Sequence, residues 1–198
     1  MKVDVSNANV SDNKDTLGVG MLVGVLAKYE NGTIQTLSSG TVSNLTIEGK
    51  LEAVLPSSVK QTDAYGIGGI IGYANLNNKK GTIQINGCTN DADVSGNVNT
   101  GGVVGRLDGT FHYNNGTKYT ASKLKQKADI LNCNDNGLIL CDNISTQKAG
   151  STIEGNYFGG IVGYSNRALV YNAVSALGRS GSFRYSSDDQ KELLQADM

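Results

Sequence analysis

Short apolar runs bounded by glycine punctuate this chain. They stand at 20–24 (GMLVG), 68–72 (GGIIG), 101–105 (GGVVG) and 159–163 (GGIVG). Between them the sequence is polar and rich in Asn, Ser, Asp and Gly, the residues of turns. Periodicity alone does not separate so short a run from a buried helix segment. Its length, its β-branched residues and its flanking glycines decide for strand.

A second pattern follows each run. VSNLTIEG (42–49), INGCTNDA (85–92), ILNCNDNG (130–137) and VYNAVSAL (170–177) share it, and VSNANVSD (5–12) resembles them. Aligned on Asn7, Asn44, Gly87, Asn132 and Asn172, the copies lie 37, 43, 45 and 40 residues apart. In TVSNLTIEG, strict alternation puts Val42, Asn44, Thr46 and Glu48 on one face and Ser43, Leu45 and Ile47 on the other. Third strands are expected at 91–97 and 137–143. A fixed period of this kind marks an array of like units. Propeller blades have a similar period, but the unequal insertions suit an open stack better than a closed ring. The fold expected is all-β, a right-handed parallel β-solenoid of stacked repeats with variable loop insertions. Residues 1–183 would form the repeat domain, with 106–129 as its longest loop. Residues 184–198 would form a short helical cap or linker, with Ser187 as N-cap and Gln190 three residues on.

Composition supports many short strands and tight turns. There are 26 glycines, one proline and no tryptophan. The formal net charge of −1 supplies no footprint for nucleic acid. No apolar run reaches the roughly 18 residues a membrane helix requires. The polar start lacks the apolar stretch of a signal peptide. Either the protein is cytosolic or, as a first copy that opens in mid-unit favours, this is a segment of a longer secreted protein, neighbouring further domains.

The four glycine-bounded runs and the Asn-centred strand behind each resemble the GLUG repeat, named for Gly-Leu-any-Gly. The resemblance covers most of residues 5–178. It departs at Met21, in the long insertions of the first three units, and after 183. GLUG-type repeats occur in large surface or extracellular proteins of bacteria, including the non-catalytic parts of some immunoglobulin A-cleaving metallopeptidases. The resemblance implies a spacer or adhesive segment with no catalytic residue of its own, and the residues themselves lead to no expected cofactor or metal.

Several residues invite chemistry. GIGGIIG at 66–72 lacks the helix and the Lys-Ser/Thr of a nucleotide loop, so sheet packing explains it. His112, the one histidine, has no assignable partner. Asp91 and Asp93 alternate along one strand face and could bind calcium or, with Asp135 and with Asp142 beyond them, serve as the outward carboxylates of a β-helical carbohydrate-active enzyme, the alternative to a binding segment. A third alternative is a subunit that joins end to end through exposed strands. Tyr73 and Tyr164 follow their glycine runs and, with Tyr65 and Tyr157, could form an aromatic strip for a glycan or host protein. In the insertion, Tyr113, Tyr119, Lys123 and Lys125 are the expected contacts for a partner, and ASKLKQKAD could form one or two helical turns. Cys88, Cys133 and Cys141 are expected as buried thiols, with one bridge through Cys133 or Cys141 left open.

Overall fold

The computed structural model describes residues 2–9, 18–30, 33–35, 41–54, 65–76, 84–109, 118–141, 157–175 and 183–185. The chain is mostly β, with one short helix among the described residues. Four parallel sheets are built from successive passes of the chain, each pass giving one strand to each of the first three sheets and one or two to the fourth.

The first sheet aligns Gly18–Gly20, Gly66–Gly68, Thr100–Gly101 and Phe158–Gly159. The second aligns Val23–Leu26, Ile71–Asn75, Val104–Asp108 and Val162–Asn166. The third aligns Thr41–Ser43, Gln84–Asn86, Ile130–Leu131 and Val170–Tyr171. The fourth starts with Lys2–Asn9 and continues through Thr46–Val54 and Thr89–Gly96. Beyond Thr89–Gly96 it splits. Asn134–Asp135 and then Val174–Ser175 continue one half; Ile139–Cys141 and then Phe183–Tyr185 continue the other. None of these sheets closes on itself among the described residues. One antiparallel hairpin, Lys28–Glu30 with Thr33–Gln35, stands apart.

In-register pairing puts like side chains in rows. Val42, Ile85, Ile130 and Val170 form one row, and Val23, Ile71, Val104 and Val162 another. Ile47, Leu51, Ile67, Ile70, Ile71, Leu76, Ile85, Leu107, Ile130 and Ile139 are fully buried. Each such side chain contributes roughly 1.5–3 kcal/mol of burial free energy.

The glycines have a specific task. A Cβ on Gly105 would lie 2.2 Å from the backbone nitrogen of Ile67, in the pass before. A Cβ on Gly72 would lie 2.3 Å from the backbone nitrogen of Val19. The first and second sheets therefore touch backbone to backbone, leaving no room for a side chain at these points. The glycine-bounded runs are the places where this contact is made.

The aligned Asn positions also have a physical reason. Asn44, Asn132 and Asn172 have φ of 53, 53 and 51°, and Gly87 has φ of 65°. Each makes the corner between the third and fourth sheets in the left-handed region, which glycine and asparagine tolerate best. The amides continue from corner to corner. Asn172 Nδ2 donates to Asn132 Oδ1 at 2.6 Å, and Asn132 Nδ2 to Asn86 Oδ1 at 3.3 Å.

Three expectations are corrected. Lys2–Asn9 pairs with the far part of Thr46–Val54, Val5 facing Leu51, so Asn7 does not take the place equivalent to Asn44. Strict alternation through TVSNLTIEG also fails. The left-handed corner at Asn44 resets the phase, so Val42 turns inward with Ile47 while Ser43, Thr46 and Glu48 are exposed. Lastly, Arg106–Asp108 belong to a core strand, not to a loop beginning at 106. The helix within that insertion runs Ala121–Lys127. At the C-terminal end, Phe183–Tyr185 pairs with Ile139–Cys141, and the expected helix beyond it lies outside the described residues.

The glycine contact yields a graded test. Gly105→Ala should destabilise the fold by about 3 kcal/mol, because backbone must move to admit the methyl group. Gly24→Ala should cost about 1 kcal/mol or less, since its Cβ would meet nothing nearer than the Gly18 carbonyl oxygen at 3.0 Å. Urea midpoints of the two variants check the order; equal midpoints contradict the contact.

Candidate functional site

In-register pairing brings Val25, Tyr73, Arg106 and Tyr164 into one column on the second sheet. The Arg106 guanidinium sits 4.7 Å from the centre of the Tyr164 ring and 6.0 Å from that of Tyr73. Such a cation between aromatic faces is electrostatically favoured, more so when shielded from water. Asp108, two residues on, gathers the donors. Tyr73 Oη donates to Asp108 Oδ2 at 2.9 Å, and Arg106 Nε to the same oxygen at 3.3 Å. Asn166 Nδ2 donates to Asp108 Oδ1 at 3.1 Å. Burial and then the Asp108 carboxylate raise the Tyr73 phenol above its ordinary range, so it stays a donor.

This geometry divides the expected aromatic strip. Tyr73 is 3% exposed and serves the interior of the knot. Tyr164 is half-buried, and Tyr157 packs against it with ring centres 5.1 Å apart at 58°. Tyr157 keeps 44% of its surface exposed and is the aromatic face available outside. Tyr65 is half-buried, and its carbonyl accepts from Asn99 Nδ2 at 2.8 Å. Arg106 and Asp108 were not singled out in the sequence. Their signal was the spacing itself: both follow GGVVG as Tyr73 and Asn75 follow GGIIG.

The second group of expected contacts lies elsewhere, beside the third sheet. Thr120 caps the Ala121–Lys127 helix, accepting from the Lys123 amide at 3.3 Å. Gln84 Nε2 fastens the far end, donating to the carbonyls of Lys125 at 2.9 Å and Ala128 at 3.1 Å. Lys123 and Lys125 are exposed, and Tyr119 is half-buried. No side chain of this helix is buried, so it is a fixed tab on the stack rather than part of its core. Tyr113 and His112 lie outside the described residues.

The three carboxylates do not share a face. Asp91 is exposed and Asp93 partly so, and both point out of the Thr89–Gly96 strand. Asp91 Oδ1 accepts from Asn136 Nδ2 at 2.7 Å, and Asp93 Oδ1 from the Leu138 amide at 3.0 Å. Asp135 points inward and is fully buried, which corrects its expected outward placement. It sits in a polar row between Asn90, which donates to its Oδ1 at 2.9 Å, and Ser175, which donates to its Oδ2 at 3.2 Å. The row lies behind the glycine pairs: a Cβ on Gly69 would meet Asn90 Oδ1 at 2.4 Å, and one on Gly102 would meet Asp135 Oδ1 at 2.2 Å. In the first pass the place of Asn90 is taken by Ile47, and there Met21 stands where the others have glycine. The departure at Met21 is thus matched within its own pass, apolar against apolar.

Cys88 and Cys133 are buried thiols on neighbouring passes. The side chain of Cys141 is not among those described. Among the described residues, no group of three His, Cys, Asp or Glu side chains comes together to hold a metal ion. No helix among them is long and apolar enough to cross a membrane. Comparison with protein-family models, curated proteins and solved structures found no match.

Two measurements probe these clusters. Burial, opposed by hydrogen bonds from Asn90, Ser175 and the Gly137 amide, raises the Asp135 pKa from 3.8 to about 6. A carboxyl raised in the folded state favours folding when protonated. Its penalty is absent below about pH 4, grows between pH 4 and 6, and is complete above. The shift corresponds to about 3 kcal/mol. The difference in unfolding free energy between wild type and Asp135→Asn should therefore slope across pH 4–6 by about that amount; parallel profiles contradict the assignment. Separately, Arg106→Met should lower stability by about 3–5 kcal/mol because Asp108 loses its cation in a buried place. Pairing it with Asp108→Asn should recover part of that loss in a double-mutant cycle, whereas strict additivity would deny the coupling.

Proposed function

We propose that this chain is a right-handed parallel β-solenoid of GLUG-type repeats, serving as a non-catalytic spacer and adhesive segment of a bacterial surface or secreted protein. The observation that carries the reading is the equivalence of the passes. Four glycine-bounded segments pair with one another in matching register, and the Asn44, Gly87, Asn132 and Asn172 corners share one backbone conformation. Right-handed crossovers are the rule for parallel strands joined within a sheet. A stack hydrogen-bonded from pass to pass is stiff along its axis and offers long lateral faces.

Binding then belongs to those faces. The Tyr157–Tyr164 pair offers an exposed ring for a sugar or an apolar side chain. The helix bearing Lys123 and Lys125 offers cationic contacts on another side. A host protein or glycan is the partner class. Of the carboxylates a carbohydrate-active enzyme would use, Asp135 is sealed in the core, which weighs against the enzyme reading. Among the described residues the fourth sheet has five tiers of strands and the other three have four, an arrangement that does not favour a flush end-to-end joint.

A glycan and host-protein array, probed with wild type and with the Tyr157→Ala and Lys123→Gln/Lys125→Gln variants, tests this function. Binding that one of these variants loses, without turnover of any glycan, is the expected result. Hydrolysis of a polysaccharide abolished by Asp93→Asn would overturn it.

A further inference from the structure

Three cysteines are scattered through 198 residues, yet two of them meet in one interior row. Asn86 pairs with Leu131 and Thr89 with Asn134, so Cys88 and Cys133 stand opposite each other on adjacent passes. Leu45 and Ala173 continue the row on either side. Both thiols are fully buried. The Asn134 amide donates to the Cys88 carbonyl at 2.8 Å, which fixes the two backbones side by side. Neighbouring strands lie about 4.8 Å apart, inside the roughly 4.4–6.8 Å between Cα atoms that a disulfide spans.

The sulfurs lean the same way. Cys133 Sγ reaches down to the Ile85 carbonyl of the pass before at 3.5 Å, toward the level of Cys88. Cys88 Sγ reaches in turn to the Val42 carbonyl at 3.5 Å, one pass lower. Joining them requires Cys88 to leave Val42 and turn up toward Cys133. Nothing covalent or charged holds it back.

We infer that Cys88 and Cys133 are an oxidisable pair that closes into a disulfide, stapling two adjacent passes of the stack. The oxidant is a small-molecule disulfide. One cysteine thiolate attacks it, forming a mixed disulfide and releasing one small thiol. The second cysteine thiolate displaces the other small thiol. The two cysteines together lose two electrons and two protons, and the oxidant is reduced to two thiols. Because both sulfurs are sealed in the folded chain, exchange takes place before the third pass has settled on the second. The bond encloses the whole excursion from one pass to the next, so it restricts the unfolded chain more than the folded one. An oxidising surroundings in nature follows from the extracellular reading above; the chemistry of the pair does not depend on it.

The test supplies the oxidant directly. The full chain, reduced and unfolded in urea, is diluted into buffer containing oxidised glutathione and then mapped by mass spectrometry without reduction. The expected product is lighter by two hydrogens, keeps one titratable thiol at Cys141, and yields a linked peptide containing Cys88 and Cys133. Its urea midpoint should fall when a reductant is added. Cys141→Ser should keep both the link and the shift, and Cys88→Ser or Cys133→Ser should lose both. If refolding from urea fails, the folded chain is held with oxidised glutathione in urea just below its midpoint and read in the same way. Recovery of three free thiols, glutathione adducts that never resolve, or a link through Cys141 would each overturn the proposal. None of these outcomes bears on glycan or protein binding, so the two readings fail separately.

Discussion

Two sheets of this protein touch through bare backbone, and most of the architecture follows from that contact. Where Gly105 faces Ile67 and Gly72 faces Val19, a single Cβ would collide with main-chain nitrogen. Only glycine admits such an approach. Each contact joins one pass of the chain to the pass before, so the restriction returns at Gly72, Gly105 and Gly163. Apolar residues between the glycines then turn into the core, as Ile70, Ile71, Val103 and Val104 do. The backbone contact sets where the chain can double back, and the burial of these side chains supplies the driving force.

Polar groups inside the stack obey the same geometry. Asn90, Asp135 and Ser175 form a row because their passes are in register, and they fit because Gly69 and Gly102 leave space in front of them. Asp108 is satisfied by donors from three passes, Tyr73, Arg106 and Asn166. Buried polar groups that find all their partners only in one alignment oppose slippage of that alignment. A shift of one residue would turn every side chain of a strand to its other face. The apolar rows tolerate mismatch better than these polar ones, so the polar rows supply much of the precision of stacking.

Much of this was legible in the letters. The glycine runs located the first and second sheets, and the Asn44, Gly87, Asn132 and Asn172 alignment matched the strand register residue for residue. Two of the misses had one physical origin. Inward or outward orientation was inferred from alternation, and alternation does not survive a left-handed corner. Val42 therefore turned in where it was expected beside Asn44, and Asp135 turned in where it was expected outside. Arg106 and Asp108 looked like the start of a loop because a charged pair in a core strand is unusual. Only the facing Tyr73, Tyr164 and Asn166 make them tolerable there, and those neighbours are distant in sequence. The binding candidates were legible as residue types but not as surfaces: burial removed Tyr73 and left Tyr157 outside.

The most direct measurement of the central contact is the proton-proton nuclear Overhauser effect in the folded chain. The account predicts strong cross-peaks from the Gly105 α-protons to the Ile67 amide proton, and from those of Gly72 to the Val19 amide proton. Glycine α-protons that show contacts only to their own sequence neighbours would contradict it.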